Sequence, residues 1–434
     1  CPVREAGEAA DAFAQRLRFA MKFQQYTSPV QAKGMEDTVF YRYSPLASLN
    51  EVGSAAGRRA TTPQEFHDAN MYRMERWPDA MLTTSTHDTK RGEDARMRIH
   101  VLTEISEEWK SKLLEWAAVN EGAKTEVNGN PSPERADEYL YYQNLLGMWP
   151  PRQTAVTDEL VSRMKAFMNK ALKEAKIHTS WINPSNEYDA AVEKFVEQTL
   201  RGPSAAGFLA SFIPFAERVA VIASRGSVSQ IAVKLMSPGV VDTYQGGELW
   251  DLSLVDPDNR RPVDYATRQE RLHRLTSCVS SGDDGKRRTG MIADLCREWW
   301  TGDLKLLYTT EGLNLRAREP ELLGRGKYLA LRAEGPAAGH VVAFAREYQG
   351  KWLLTIALRW FASLLSSPDS LCDLREKLQG TYVEVPTAAK NLNFTNILTG
   401  APVAVETGGK TLRMDAGAAT GGLPTGWLIT DQNA

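Results

Sequence analysis

The sequence predicts an α/β protein with two textures: a long first part of helices and a few short strands, and a last part built as a small antiparallel β domain. Three observations carry this. Ala80 to Ser85 is a short apolar and β-branched run that leads through His87-Asp88 and Lys90-Arg91 into Gly92-Glu93-Asp94, where a helical pattern begins. Between about residues 100 and 222 the chain reads as mostly helical, far longer than the dozen or two residues that join neighbouring strands. From Gly326 the pattern changes to short apolar runs separated by Gly, Pro and Asn.

Taken in order, Glu5 to Gln25 places Phe13, Leu17, Phe19 and Phe23 at helical spacing and is expected to form an amphipathic helix. In Gln31 to Tyr43, Lys33, Glu36, Asp37 and Arg42 crowd against Phe40, Tyr41 and Tyr43. That is too charged for a buried strand and too aromatic for an ordinary solvated loop. Thr62-Pro63-Gln64-Glu65 carries a capping box with Pro at the first helical position, and Trp77-Pro78 ends that helix; His67 within it is assigned no role. A helix from Glu93 to Val119 follows the strand. Tyr139 to Leu146, Asp158 to Lys176 and Asp189 to Leu200 are the clearest later helices, and Trp181 to Tyr188 is an aromatic, amide-rich break that reads equally as a turn and as a site. Ser229 to Met236 is expected as a strand, broken by Pro238-Gly239 into a loop from Tyr244 to Trp250. Asp256 to Asp264 has the density of Asp, Asn, Arg and Pro usual in solvated turns, and Arg268 to Leu307 is helical again. The last part offers strands at Tyr328 to Leu331, His340 to Ala345, Trp352 to Leu358, Thr381 to Val385 and Thr411 to Met414, interrupted by a helical stretch near Trp360 to Gln379.

A formal net charge of -2, with 24% charged residues, gives no electrostatic reason to expect nucleic acid or an anionic membrane, so the expected partner is neutral. Eleven Trp and fourteen Tyr suit a sugar-binding protein, although most aromatics are core residues. Cys1, Cys278, Cys296 and Cys372 show no CxxC pattern, which favours reduced thiols in the cytoplasm. No leader pattern and no bilayer-length apolar run is read, so a soluble protein is expected.

His87 and Asp88 stand at the C-terminal end of a strand, the end at which α/β barrels gather their chemistry. Locally, Asp88 or Thr89 reads more simply as a helix cap. Lys90 and Arg91 add a second possibility, that cations beside Asp88 keep it ionised or grip a polar substrate.

Gln31 to Tyr43, Ser48 to Gly53, Ser85 to Arg91, Ser237 to Trp250 and Asp256 to Tyr265 occur in that order. Together they resemble the maltooligosyltrehalose synthases, a branch of the α-amylase family, most clearly up to about Tyr265. The resemblance implies that residues 1–265 are the later part of a catalytic (β/α)8 TIM barrel with a helical insertion at about 100–222. Residues 266–325 would be a helical connection and 326–434 a C-terminal β domain. Retaining glycosidases need two carboxyl groups about 5–5.5 Å apart. The family's motifs for that nucleophile Asp and acid/base Glu are not found in the sequence. The chain, which also starts without Met, is therefore expected to be the C-terminal part of the enzyme, inactive alone and partnered by a missing N-terminal half of the barrel.

By the same resemblance Asp88 is the third carboxylate, which stabilises an oxocarbenium-like transition state, and His87 donates a hydrogen bond to the same sugar ring. Lys33, Glu36, Asp37, Arg42, Lys90, Arg91, Tyr244 and Gln245 are the implied substrate-binding residues, with no metal and no cofactor. The implied reaction converts the reducing-end α-1,4 linkage of a maltooligosaccharide into an α,α-1,1 linkage. A hydrolytic amylase-like enzyme would use the same His-Asp strand, and a non-catalytic carbohydrate-binding fragment would explain the missing carboxylates.

Overall fold

The computed structural model of the protein describes residues 2–57, 59–280, 285–365, 373–408 and 411–430. Two compact units emerge, one made of Cys1–Arg58, Ala117–Gln143 and Val156–Phe208, the other of Arg59–Trp116, Asn144–Ala155 and Leu209–Ala434.

The first unit begins with a helix over Ala10–Gly34, longer than expected and with none of its residues buried. Phe19 and Phe23 stack on each other at 6.1 Å and remain exposed, so the apolar spacing yields a helix but no buried stripe. Gln31 to Tyr43, which by the resemblance would be a barrel loop following a strand, is helical as far as Arg42: a π-helical turn over Met35–Val39 passes into Phe40–Arg42, and Tyr43 ends it in extended backbone. A two-stranded hairpin of Thr125–Val127 and Asn130–Ser132, not foreseen in the sequence, precedes the start of the Arg135–Met148 helix. The helices Asp158–Ala175 and Asn186–Arg201 bury Leu160, Met164, Phe167, Phe195, Val196 and Leu200 with Tyr141 and Tyr142. Thr157 and Ser185 cap those two helices by accepting from the backbone three residues on.

In the second unit the capping box at Thr62 is complete in both directions and starts the Pro63–Arg76 helix. His67 on that helix is buried, its Nδ1 2.7 Å from the Tyr328 hydroxyl. The expected strand before His87 is only Met81–Leu82, and the single helix expected after it is two, Glu93–Val101 and Ser106–Val119.

The largest correction concerns Ser229 to Met236. It is the end of a 32-residue helix, Ala205–Met236, and the strand comes after it as Val240–Val241. That helix is also long and apolar enough to cross a membrane, with a mean hydropathy of 1.5 in its most apolar window, contrary to the expectation that no such run exists. Half of that window is buried in the protein, and Val228, Ile231, Leu235 and Met236 sit in one core cluster with Leu275, Leu304, Tyr308, Phe344 and Trp427. A helix that is apolar around most of its circumference suits such a core.

The β-rich last part is as expected in kind. A six-stranded antiparallel sheet runs in the order Pro402–Val403, Phe394–Asn396, Thr425–Thr430, Lys351–Leu358, Val341–Tyr348, Lys327–Leu331. A second, four-stranded antiparallel sheet runs Glu406–Gly408, Thr411–Asp415, Tyr382–Val385, Ala333–Glu334. Of the helical stretch expected near Trp360 to Gln379, only Phe361–Leu364 and a 3-10 turn at Glu376–Leu378 are seen, and residues 366–372 lie outside the described residues. Cys296 is buried and forms no disulfide among the described residues, while the side chains of Cys1, Cys278 and Cys372 lie outside the described ones.

Candidate active site

Met81 and Leu82 pair in parallel with Val240 and Val241, held by Val240 N–H donating to Ala80 O at 2.9 Å and Asp242 N–H donating to Leu82 O at 2.8 Å. Parallel pairing sends residues 83–91 and 242–250 out of the same end of the pair. Gly239 makes the approach possible: its φ is +126°, and a Cβ there would stand 2.6 Å from Ala80 O.

At that end His87 is exposed and Asp88 half-buried. Asp88 N–H donates to Thr86 Oγ1 at 3.2 Å, and Thr89 Oγ1 donates back to Thr86 O at 2.9 Å, so the turn that carries the pair is closed by its own threonines. Asn259 Nδ2 donates to His87 O at 3.1 Å, and the Arg260 guanidinium reaches the same oxygen at 3.2 Å. Tyr244, half-buried, donates from its hydroxyl to Asn259 O at 3.0 Å, and Gln245 beside it is exposed. The Asp-Asn-Arg run that reads as a solvated turn thus fixes the backbone of the His-Asp turn. Asn259 and Arg260 were visible in the sequence as part of a motif but without a role.

Lys90 and Arg91, expected to hold Asp88 or substrate, are 2% and 1% exposed. Arg91 Nε donates to Asn144 Oδ1 at 2.6 Å, and Gly92 N–H donates to Ser253 O at 2.8 Å. Gly92 is required by that closeness, since a Cβ would meet Asp251 at 2.5 Å.

Below the turn lies a buried ionic base. The Lys305 ammonium, on a completely buried side chain, is 2.5 Å from Glu93 Oε1 and 2.7 Å from Asp94 Oδ2, and donates to Leu249 O at 3.1 Å. Lys234 Nζ donates to Thr84 Oγ1 at 3.0 Å and to Asp242 O at 2.9 Å, while Thr84 Oγ1 donates to Glu93. Arg96 donates to Arg91 O at 3.0 Å and to Thr84 O. Burial by itself would raise the Glu93 carboxyl, but the Lys305 and Lys234 cations hold it down to about 2. Burial and the neighbouring Glu93 push Asp94 up despite Lys305. Burial lowers Lys305, and the two carboxylates more than reverse this. Both loops therefore rest on one set of desolvated charges.

The remaining expected site residues belong to the first unit and serve local structure there. Lys33 pairs with Asp37 one turn on, Glu36 Oε1 accepts from Gly53 N–H at 3.2 Å, and Arg42 donates to the carbonyls of Ala175 and Lys176 at a helix end.

No family model matches the chain. A Mycobacterium tuberculosis protein named as a maltooligosyl trehalose synthase is 36% identical over 348 residues, which is 80% of this chain and 39% of that protein. The solved maltooligosyltrehalose synthase of Arthrobacter ramosus superposes with a TM-score of 0.74 at 30% identity, over 95% of this chain and 46% of its own. This chain is a homologue of the maltooligosyltrehalose synthases. A Sulfolobus tokodaii structure described by the same name gives 0.69 at 28% identity, covering 96% of this chain and 48% of that one. The chain thus spans 39% to 48% of the length of these relatives, and its likeness to them extends over the residues of both units.

Proposed function

We propose that residues 1–265 of this chain are the later part of the catalytic (β/α)8 barrel of an enzyme that turns the reducing-end α-1,4 linkage of maltooligosaccharides into an α,α-1,1 linkage, acting in the cytoplasm. The observation that carries this is the parallel pair Met81–Leu82 and Val240–Val241, which brings the His87-Asp88 turn and the Tyr244 loop to one end of the strands, as a barrel active site requires. The homology to trehalose-forming enzymes supports the substrate class.

In this reading Asp88 supplies negative charge where positive charge develops on the sugar ring, and exposed His87 donates to a hydroxyl of that ring. Tyr244 and Gln245 contact sugar beside that turn, whereas buried Lys90 and Arg91 support it from within; Lys33, Glu36, Asp37 and Arg42 are substrate contacts by the family resemblance alone. A single carboxylate at Asp88 cannot act as nucleophile and acid/base together, so both come from the partner half of the barrel. The Met81–Leu82 and Val240–Val241 pair, open at both edges among the described residues, is where that half would add strands.

The test uses maltopentaose and scores trehalose-terminated product against released glucose and maltose. Expected are no product from the 434-residue chain alone, and trehalose-terminated product from a protein that joins it to the missing half. In that longer protein Asp88→Asn should lower kcat about 10²–10³-fold with little change in KM. Product from the chain alone that Asp88→Ala abolishes would overturn the division of labour. Predominant hydrolysis by the joined protein would favour an amylase-like hydrolase.

A further inference from the structure

The first unit holds a second group of chemically active side chains, away from everything assigned above. Glu134 stands just before the Arg135–Met148 helix, Asp137 lies in its first turn, and His178 follows the Asp158–Ala175 helix. Their ligand atoms all lie within 4.8 Å of one another, with His178 Nε2 3.2 Å from Glu134 Oε2. Glu134 and His178 line a cavity of about 610 Å³, together with Lys124, Ser185 and Tyr188.

Asp137 is the informative member. It is 6% exposed, yet the one hydrogen bond it makes among the described residues comes from a neutral group, the Tyr188 hydroxyl at 2.5 Å. No Lys or Arg pairs with it among the described residues, and a second carboxylate, Glu134, stands beside it. Buried carboxylates are normally paired with a cation or bound to a metal. The surroundings are arranged as a ligand's would be. Tyr188 accepts from Glu134 N–H at 3.3 Å while donating to Asp137, and its ring stacks on the His178 imidazole with centroids 4.3 Å apart and planes 23° apart. One tyrosine thereby holds the Asp137 carboxylate and the His178 ring, as outer groups do around bound metals, and touches Glu134 through its backbone.

We propose that Glu134, Asp137 and His178 bind one divalent metal ion of the zinc class. One imidazole nitrogen and two carboxylate oxygens form a donor set that Zn²⁺ accepts with bonds of about 2.0–2.2 Å. A tetrahedron with such bonds has edges of about 3.3–3.6 Å, the lower end close to the 3.2 Å separation of His178 and Glu134. The fourth position faces the cavity and takes water. The ion clasps the start of the Arg135–Met148 helix to the segment entering Asn186–Arg201, and it gives the aromatic break from Trp181 to Tyr188 a structural role independent of the sugar chemistry.

The experiment is Zn²⁺ titration by calorimetry of chelator-treated protein carrying the 434-residue chain, with Co²⁺ substitution read by visible absorption. Expected are one Zn²⁺ per chain with a micromolar or tighter Kd, and Co²⁺ bands of a low-symmetry N/O site. Affinity should fall about ten- to a hundredfold in His178→Ala and Asp137→Asn, and about tenfold in Tyr188→Phe. Circular dichroism checks folding. Glu134→Gln, at a partly exposed position, provides an arm that keeps the fold and still loses affinity. Absence of binding, or binding that His178→Ala and Glu134→Gln leave unchanged, would overturn the site and leave His178 and Glu134 as an ion pair.

Discussion

The His87-Asp88 turn and the Lys33 to Arg42 segment look alike in the sequence, each a cluster of charges beside apolar or aromatic residues, yet they are built differently. Under the turn, Lys305, Glu93 and Asp94 are all nearly or wholly removed from solvent. In the other segment the Lys33 side chain is 75% exposed and its pairing with Asp37 spans a single helical turn. The difference teaches that a charged motif says little about how firmly it is held. Rigidity comes from desolvated partners contributed by distant parts of the chain, here a helix some 200 residues further on.

The sharpest way to break this contrast is to remove the centre of the buried base. Lys305→Ala leaves Glu93 and Asp94 buried without their cation and should destabilise the second unit by about 3–5 kcal/mol in denaturant unfolding. A cost below about 1 kcal/mol would mean that water reaches the base and that the turn is no better braced than the Lys33 segment.

Acid sharpens the comparison next. A carboxyl held at about 2 in the folded protein and near 4.5 when unfolded contributes stability that is full above about pH 4.5 and disappears as pH falls towards 2. Asp94, pushed the other way, opposes part of this. Unfolding midpoints of the wild type and of Glu93→Gln, measured from pH 6 to pH 2, should therefore converge as pH falls. Parallel curves would show that Glu93 does not carry the charge assigned to it.

How much of this was legible depended on where the physical signal lay. The five strands expected in the last part and the Thr62 box are local patterns and are present, whereas Thr425–Thr430, between Phe394–Asn396 and Lys351–Leu358 in the larger sheet, was not read. Ser229 to Met236 misled because Ile231, Val233 and Leu235 alternate as in a strand, while the later half of the helix that contains them is buried on nearly every side and so shows no solvated polar face. The strand itself was two valines after Gly239, too short to register. Lys305 could have been suspected, since a lone cation within Leu304-Lys305-Leu306-Leu307 implies a buried partner. Nothing local identifies that partner as Glu93 and Asp94, because the contact spans about the length of a domain. The His87-Asp88 pair was found through its motif, while the Asn259 and Arg260 contacts to His87 O became visible only in three dimensions.

A smaller effect belongs to Arg42, which closes a helix end through the carbonyls of Ala175 and Lys176. Its loss in Arg42→Ala should cost about 1 kcal/mol in the unfolding of the first unit. An unchanged midpoint would mean that water replaces the guanidinium at no cost.

The smallest expected change in stability is also the most informative about function. Lys33→Ala removes an exposed ion pair of a kind worth about 0–1 kcal/mol, so the unfolding midpoint should barely move. Because folding is not at stake, any kinetic effect in the joined enzyme reports on substrate directly. A lysine that grips a sugar hydroxyl equally in ground and transition states raises KM and leaves kcat alone. A several-fold rise in KM for maltopentaose with unchanged kcat is therefore expected. If both constants stay at wild-type values, Lys33 is a surface residue that only steadies its own helical turn, and the Lys33 to Arg42 segment loses its proposed part in substrate binding while the role of Asp88 is untouched.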